Sequence, residues 1–302
     1  MGRTTSPLLI YAIGVALGCG IDAIIKHVAV ELAVITLLAW RFFFGGGMAL
    51  GAYIAAKKPA PKWPAIRFHT LRAAIQLVSA FLFFWALTQL SLAEVTVIGF
   101  TAALMVAPVA RVVLGEQITP VSLVAALIGF AGAAFAISAE TSGAPVDGDR
   151  LLGALAGFAS AFLYALTLVL VRLRSREEDT LTIVTFTNVI GGILLLPVLI
   201  YSIPTMNWAY IPVLILLGAL GTGVWWLFTY AYSNAPAGRL APIEYTSLIW
   251  AALLGAIFFN EVPGWRLYIG AMVIIAACLI VAFESQLRTR KEARAPISDL
   301  PE

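Results

Sequence analysis

The chain has 302 residues, of which 61% are hydrophobic and 12% charged, with a formal net charge of +3. Soluble domains carry about 25% charged residues, so this composition excludes a water-solvated globule and requires a bilayer to solvate the outward side chains. The small net charge implies nothing by itself, and no nucleic-acid partner is expected.

A membrane-crossing helix needs roughly 20 apolar residues at 1.5 Å rise. Runs of that length recur along the chain, and the pattern predicts ten. They cover residues 6–28, 33–56, 68–88, 92–114, 119–138, 150–172, 180–201, 209–231, 237–260 and 263–284. The first is too long for a cleaved leader and is followed by further spans, so it is expected to stay. The breaks are short and polar, as in "KKPAPKWP" and "SREED", and none can hold a soluble domain. The charged, proline-containing tail, residues 287–302, is expected to be disordered.

Lysine and arginine placement sets orientation. With the N-terminus inside, the inner edges collect Arg3, the Lys57–Arg72 group, Arg111, Arg172, Arg174, Arg176, Arg239 and the basic tail, whereas the outer edges receive Lys26, Arg150 and Arg266. That asymmetry predicts an even number of spans, an inner (cytoplasmic) membrane location and both termini in the cytoplasm.

A shift of 145 residues aligns "AEVTVIGFT" (93–101) with "GRLAPIEYT" (238–246), Phe83 with Phe228, Trp85 with Tyr230, Phe100 with Tyr245, and Glu116 with Glu261. The chain therefore reads as two five-helix halves, 1–140 and 141–286. Five is odd, so the second half enters the membrane from the opposite side. Inverted halves can exchange conformations, which makes alternating access natural.

In "RFFF" at Arg41, "LAEVTVIGFTAALMVA" (92–107), the "LGE" to "IGFAG" stretch (114–132) and "FNEVPGWRLYIGA" (259–271), the sequence resembles the drug/metabolite transporter superfamily, in its ten-helix branch with paired EamA domains. The resemblance implies an all-α basket around a central cavity, lined by the first four helices of each half, with the fifth and tenth at the rear. Members move amino acids, nucleotide-like metabolites, choline or drugs. The Asp22-x-x-x-Lys26 spacing and "RFFF" are most similar to members that carry amino acids or S-adenosylmethionine.

Charged residues within the oily spans are the candidate site. Asp22 and Lys26 are four apart on one helix face and can pair with each other. Alternatively, Lys26 snorkels to the headgroups and Asp22 faces the cavity. Arg41 stays charged inside the second span, so it either bridges to Asp22 or binds a substrate carboxylate. Glu244 follows Pro242, which frees a backbone carbonyl and kinks the ninth span, and reads as an amine or proton site. Protons are the candidate coupling ion. Among the aromatics, Trp85 opposite Tyr230 and Phe100 opposite Tyr245 are expected to line the cavity, where a ring face can hold a cationic amine. Trp63, Trp208 and Trp265 read as interfacial belt residues.

Other features read as structural. Glu94 and Arg111 mark the ends of the fourth span, and Glu116 and Glu261 sit at helix corners. Glycines in "GVALG" (14–18) and "GALGTG" (218–223) should let backbones approach. His27 and His69 have no acid or cysteine at metal-ligand spacing, and Cys19 and Cys278 lie in apolar runs. No hydrolase, metalloprotease or nucleotide-binding motif occurs, so neither an enzyme, a cofactor nor ATP-driven pumping is expected. The reading is a secondary transporter, monomeric or homodimeric, that exports or exchanges amino acids or related zwitterions. The alternatives are uptake of S-adenosylmethionine or efflux of cationic drugs.

Overall fold

The computed structural model describes residues 7–59, 61, 63–115, 118–138, 149–174, 178–234, 240 and 243–292, and every element among them is helical. The first half holds α1 (Pro7–Val28), α2 (Val34–Ala55), α3 (Trp63–Gln89), α4 (Leu92–Leu114) and α5 (Pro120–Ile137). The second half holds α6 (Arg150–Arg174), α7 (Thr180–Leu194), α8 (Leu196–Ser202), α9 (Ile211–Asn234), α10 (Ser247–Phe259) and α11 (Trp265–Glu292), with two 3-10 turns between α8 and α9.

Local chemistry places the helix ends. Ser91 and Glu94 form a reciprocal capping box at the start of α4, and Gly115 ends it in the left-handed conformation at φ 71°, where glycine has no Cβ to clash. Thr119 caps α5 with Pro120 in its first turn, and the Asp179 side chain accepts from Thr182 N–H at the start of α7. Between α7 and α8 the axis bends by 53°. Pro197 follows that break; it has no N–H to donate, and its ring crowds the carbonyl one turn back.

Eight of these helices are long and apolar enough to cross a bilayer, and the bent α7–α8 pair makes a ninth if it counts as one span. The expected ninth span is represented by α10, which has 13 residues, short of the roughly 20 a crossing needs. The tight bonds Thr246 N–H to Ile243 O (3.0 Å) and Ile249 N–H to Thr246 O (3.0 Å) mark an interrupted helix just before it. Pro242, on which the kink was expected, lies outside the described residues. At the C-terminus α11 runs to Glu292, so the first residues of the expected disordered tail continue the helix. The segment "QLRTRKE" is rich in good helix formers. The residues after it are outside the description.

Helix packing obeys the exchange of halves. The α1–α9 contact corresponds to α6–α3, the α1–α10 contact to α6–α4, and the α2–α9 contact to α7–α3, while α2–α7, α4–α10 and α5–α11 are each their own counterparts. The inversion is also visible in the connections. At one end of the bundle, here called distal, α1 finishes and α6 begins: Arg150 at the start of α6 binds Glu94 at 2.7 Å, beside the α3–α4 corner. The opposite, proximal end holds the start of α1 and the α2–α3 connection.

The pair α5–α11 stands at the rear and packs through glycines. A Cβ on Gly132 would lie 2.9 Å from Val273 Cγ1 and 3.1 Å from the Gly270 carbonyl, which is the close approach that lipid-solvated helices use in place of a hydrophobic drive. Outward faces carry large apolar residues such as Leu127, 65% exposed, and Phe283, 63% exposed, which only lipid can solvate. Trp63, Trp208 and Trp265 are exposed at helix starts.

Candidate functional site

One face of α1 carries polar or small groups along its whole length. Tyr11, Gly18, Asp22 and Lys26 recur at spacings of seven and four residues, which at 3.6 residues per turn brings them to one side. At the proximal level the Tyr11 hydroxyl donates to Glu244 Oε2 at 3.1 Å. Midway, the Cys19 thiol points at the Ser247 carbonyl at 3.5 Å. Near the distal end, Lys26 meets Glu261 at 2.5 Å.

Asp22 lies between these levels and interacts electrostatically with Arg41 of α2 without closing to an ion pair. Both are enclosed by protein on all sides, yet both keep partial accessible surface. Glu244 has the same character: deep in the bundle, with its surface open. Asp22, Arg41 and Glu244 are thus ionisable groups set among the helices that keep accessible surface.

Arg41 is positioned from three sides. Its guanidinium carbon lies 5.0 Å from the Phe42 ring centroid and 5.9 Å from that of Phe84. It also rests on Gly221 of α9, where a Cβ would stand 2.8 Å from Nη2 and 2.9 Å from Nε. Aromatic faces stabilise a guanidinium by about 0.5–2 kcal/mol but accept none of its hydrogen bonds. Arg41 Nε is buried and has no hydrogen-bond partner. An intramembrane arginine costs a few kcal/mol unless water, protein or ligand satisfies it, and the described protein groups leave Arg41 Nε unsatisfied.

Around Glu244 the walls are aromatic. Tyr11 packs on Phe228 with ring centroids 4.9 Å apart. Phe100 meets Tyr245 edge-on at 5.2 Å, the two residues that the repeat alignment places opposite each other. Behind them the Cys278 thiol faces the Phe100 carbonyl at 3.8 Å. Both cysteines are buried and free.

The other buried charges among the described residues contact neighbouring groups, although Arg72 Nε, like Arg41 Nε, is buried with no hydrogen-bond partner. Lys26 is 7% exposed; besides Glu261 it donates to the Leu90 carbonyl at 2.5 Å. Glu261 accepts from Leu92 N–H at 2.9 Å, so it caps α4 from a distant part of the chain. Glu94 closes the capping box and takes Arg150 at 2.7 Å. One expectation is corrected here. Lys26 neither pairs with Asp22 nor snorkels, because Glu261 and the Leu90 carbonyl satisfy it inside the bundle. Glu94 marks the start of α4 as expected, and the α6 start covers it. At the proximal end His69 Nε2 and Glu178 lie 2.7 Å apart, and Arg72 binds the Ile183 carbonyl at 2.8 Å and Thr187. These contacts tie α3 to α7 and to the segment just before it.

Asp22 and Arg41 are thus brought together, and Phe100, Glu244 and Tyr245 form a second group. Trp85 is half-buried against the main core, and its neighbour Phe84 is the ring over Arg41. Tyr230 stacks on the exposed Trp226 at 6.1 Å, half a helical turn away from the Gly221 face that holds Arg41, so it does not join the others. Sequence reasoning missed Tyr11, although it shares the Asp22 face of α1; Phe228 entered only as the repeat partner of Phe83, and Gly221 only as a packing glycine of "GALGTG".

Comparison with known proteins completes the picture. Residues 6–138 and 151–283 each match the EamA-like transporter family, offset by the same 145 residues that align the two halves. A transporter of Helicobacter pylori is 28% identical over 218 residues, covering 70% of this chain and 71% of that protein. An S-adenosylmethionine uptake transporter of Rickettsia prowazekii is 23% identical over 265 residues, 88% of each chain. A riboflavin transporter of Vibrio cholerae is 27% identical over 234 residues, 75% of this chain and 74% of that one. A solved crystal structure superposes with a TM-score of 0.61 at 18% identity, covering 95% of this chain and 99% of that one, a likeness of fold. With both halves matched nearly end to end, this chain is a membrane transporter of small metabolites and belongs to the EamA-like transporter family of the drug/metabolite transporter superfamily.

Proposed function

We propose that the chain is a secondary transporter of a small zwitterionic metabolite with an amino-acid head, exported or exchanged across the inner membrane by alternating access of the two halves. The observation that carries this reading is the facing of Asp22 and Arg41, opposite charges within the bundle that keep accessible surface and do not close to an ion pair. A substrate carboxylate would take the free donors of Arg41, and its ammonium would lie against Asp22. Exposed Lys57, Lys58, Arg67 and Arg111 at the proximal end support placing that end, with both termini, in the cytoplasm. Glu244 is the candidate proton site.

Uptake of S-adenosylmethionine is the second reading, favoured by the relative of that name, which this chain matches over 88% of its length. Proteoliposomes loaded with a labelled panel test the proposal. Amino acids or S-adenosylmethionine should move, and Arg41→Gln should abolish their movement. Transport of a cationic drug alone, with every zwitterion left behind, would overturn it.

A further inference from the structure

The two charged groups of the interior lie at different depths. Tyr11, which holds Glu244, and Asp22, which faces Arg41, are eleven residues apart on one face of α1, or about 16 Å along the axis. Helix α9 gives a second ruler. Gly221 underlies Arg41 and Phe228 packs on Tyr11; these residues are seven apart, or about 10 Å. An α-amino acid carries its ammonium and carboxylate on the same carbon. It can occupy Asp22 and Arg41 together, but it cannot also reach Glu244.

Gly18 lies between the two levels, on the same face of α1, four residues from Asp22 and seven from Tyr11. A Cβ added there would meet nothing within 4 Å, whereas one added at Gly14 would press on Phe228 at 2.8 Å. Of the two glycines in "GVALG", then, Gly14 serves helix packing and Gly18 borders open space. By position along α1 that opening lies between the Arg41 level and the Glu244 level.

We propose that the substrate is an elongated metabolite occupying both levels. Its zwitterionic head lies between Asp22 and Arg41, its middle passes Gly18, and a cationic or hydrogen-bond-donating end reaches Glu244 among Tyr11, Phe228 and the Phe100–Tyr245 pair. This deepens the reading of the Asp22–Arg41 site given above and rests on it. Glu244 keeps acceptor capacity for that end, because Tyr11 engages only Oε2 and a carboxylate has about four acceptor positions.

The test uses the full-length protein in lipid nanodiscs. Binding of L-methionine is compared with that of S-adenosylmethionine and of the tripeptide γ-glutamyl-cysteinyl-glycine, which present amino-acid heads on tails of increasing reach. At least one long probe should bind about ten-fold or more tighter than methionine. Gly18→Leu should remove that advantage while leaving methionine binding unchanged, and Glu244→Gln should weaken the long probe alone. Methionine binding as tightly as both long probes, or Gly18→Leu weakening all ligands equally in a folded protein, would overturn the elongated substrate while the zwitterion site stands. If no probe binds, the zwitterion site falls and the elongated substrate with it.

Discussion

The distal seal and the central interior use the same residue types in opposite ways. In the seal, Lys26, Glu261, Glu94 and Arg150 form contacts of 2.5 to 2.7 Å, and the helix N-terminus and the Leu90 carbonyl take up further bonding capacity. In the interior, Asp22 and Arg41 approach without pairing, and Arg41 Nε has no partner. A buried pair stabilises a fold only when both partners are satisfied, whereas a charge left accessible and unmatched is poised for a ligand. The contrast separates charges that hold helices together from the charges we propose to recognise cargo.

The largest expected effect falls on the seal. Lys26→Met or Glu261→Gln strands a buried charge or carboxamide and should cost about 3–5 kcal/mol of stability, seen as a lowered thermal midpoint in detergent; the double change Lys26→Met with Glu261→Met should recover part of the loss. A midpoint unmoved by either single change would erase the distinction. The interior should respond in the opposite sense. Arg41→Met removes an unsatisfied charge, so the thermal midpoint should hold or rise while transport falls about ten-fold or more. Gly221→Ala, which crowds the guanidinium at 2.8 Å, should reproduce the transport loss.

The smallest effect belongs to the proximal surface pair, Lys58 and Asp179 at 2.8 Å. Partial burial is the largest single influence on the Asp179 carboxyl and acts to raise it, but Lys58 and Thr182 together hold it below its ordinary value. The stability it lends is therefore present above the ordinary carboxylate range and is lost as pH falls through the lowered folded value. Lys58→Ala should cost about 0.2–1 kcal/mol near neutral pH and flatten the acid limb of a stability–pH curve. A loss as large as that at Lys26 would show that exposure does not set the ranking.

Much of the architecture was legible in the residues. Apolar runs report which segments face lipid, because hydropathy is a local property, and the 145-residue shift exposed the inverted halves because both copies keep the same punctuation. Arg41 and Glu244 stood out as costly exceptions inside those runs. The partners of Lys26 and His69 did not. A lysine four residues after an aspartate reads as a pair on its own helix, yet Lys26 meets Glu261, more than two hundred residues away in sequence. His69 reads as solitary until α7 brings up Glu178. Gly14 and Gly18 are equivalent in sequence, and the position of Phe228 alone separates a packing contact from an opening.

By itself, then, the sequence determined that this is a bundle of apolar helices in two opposed copies, with a few charges held against the cost of burial. The tertiary structure decided which of those charges are sealed and which look into the interior, and how far apart the interior ones lie. The physical reason is that hydropathy and helical period act within one segment, whereas a buried charge is satisfied or left open by whichever helix packs across from it.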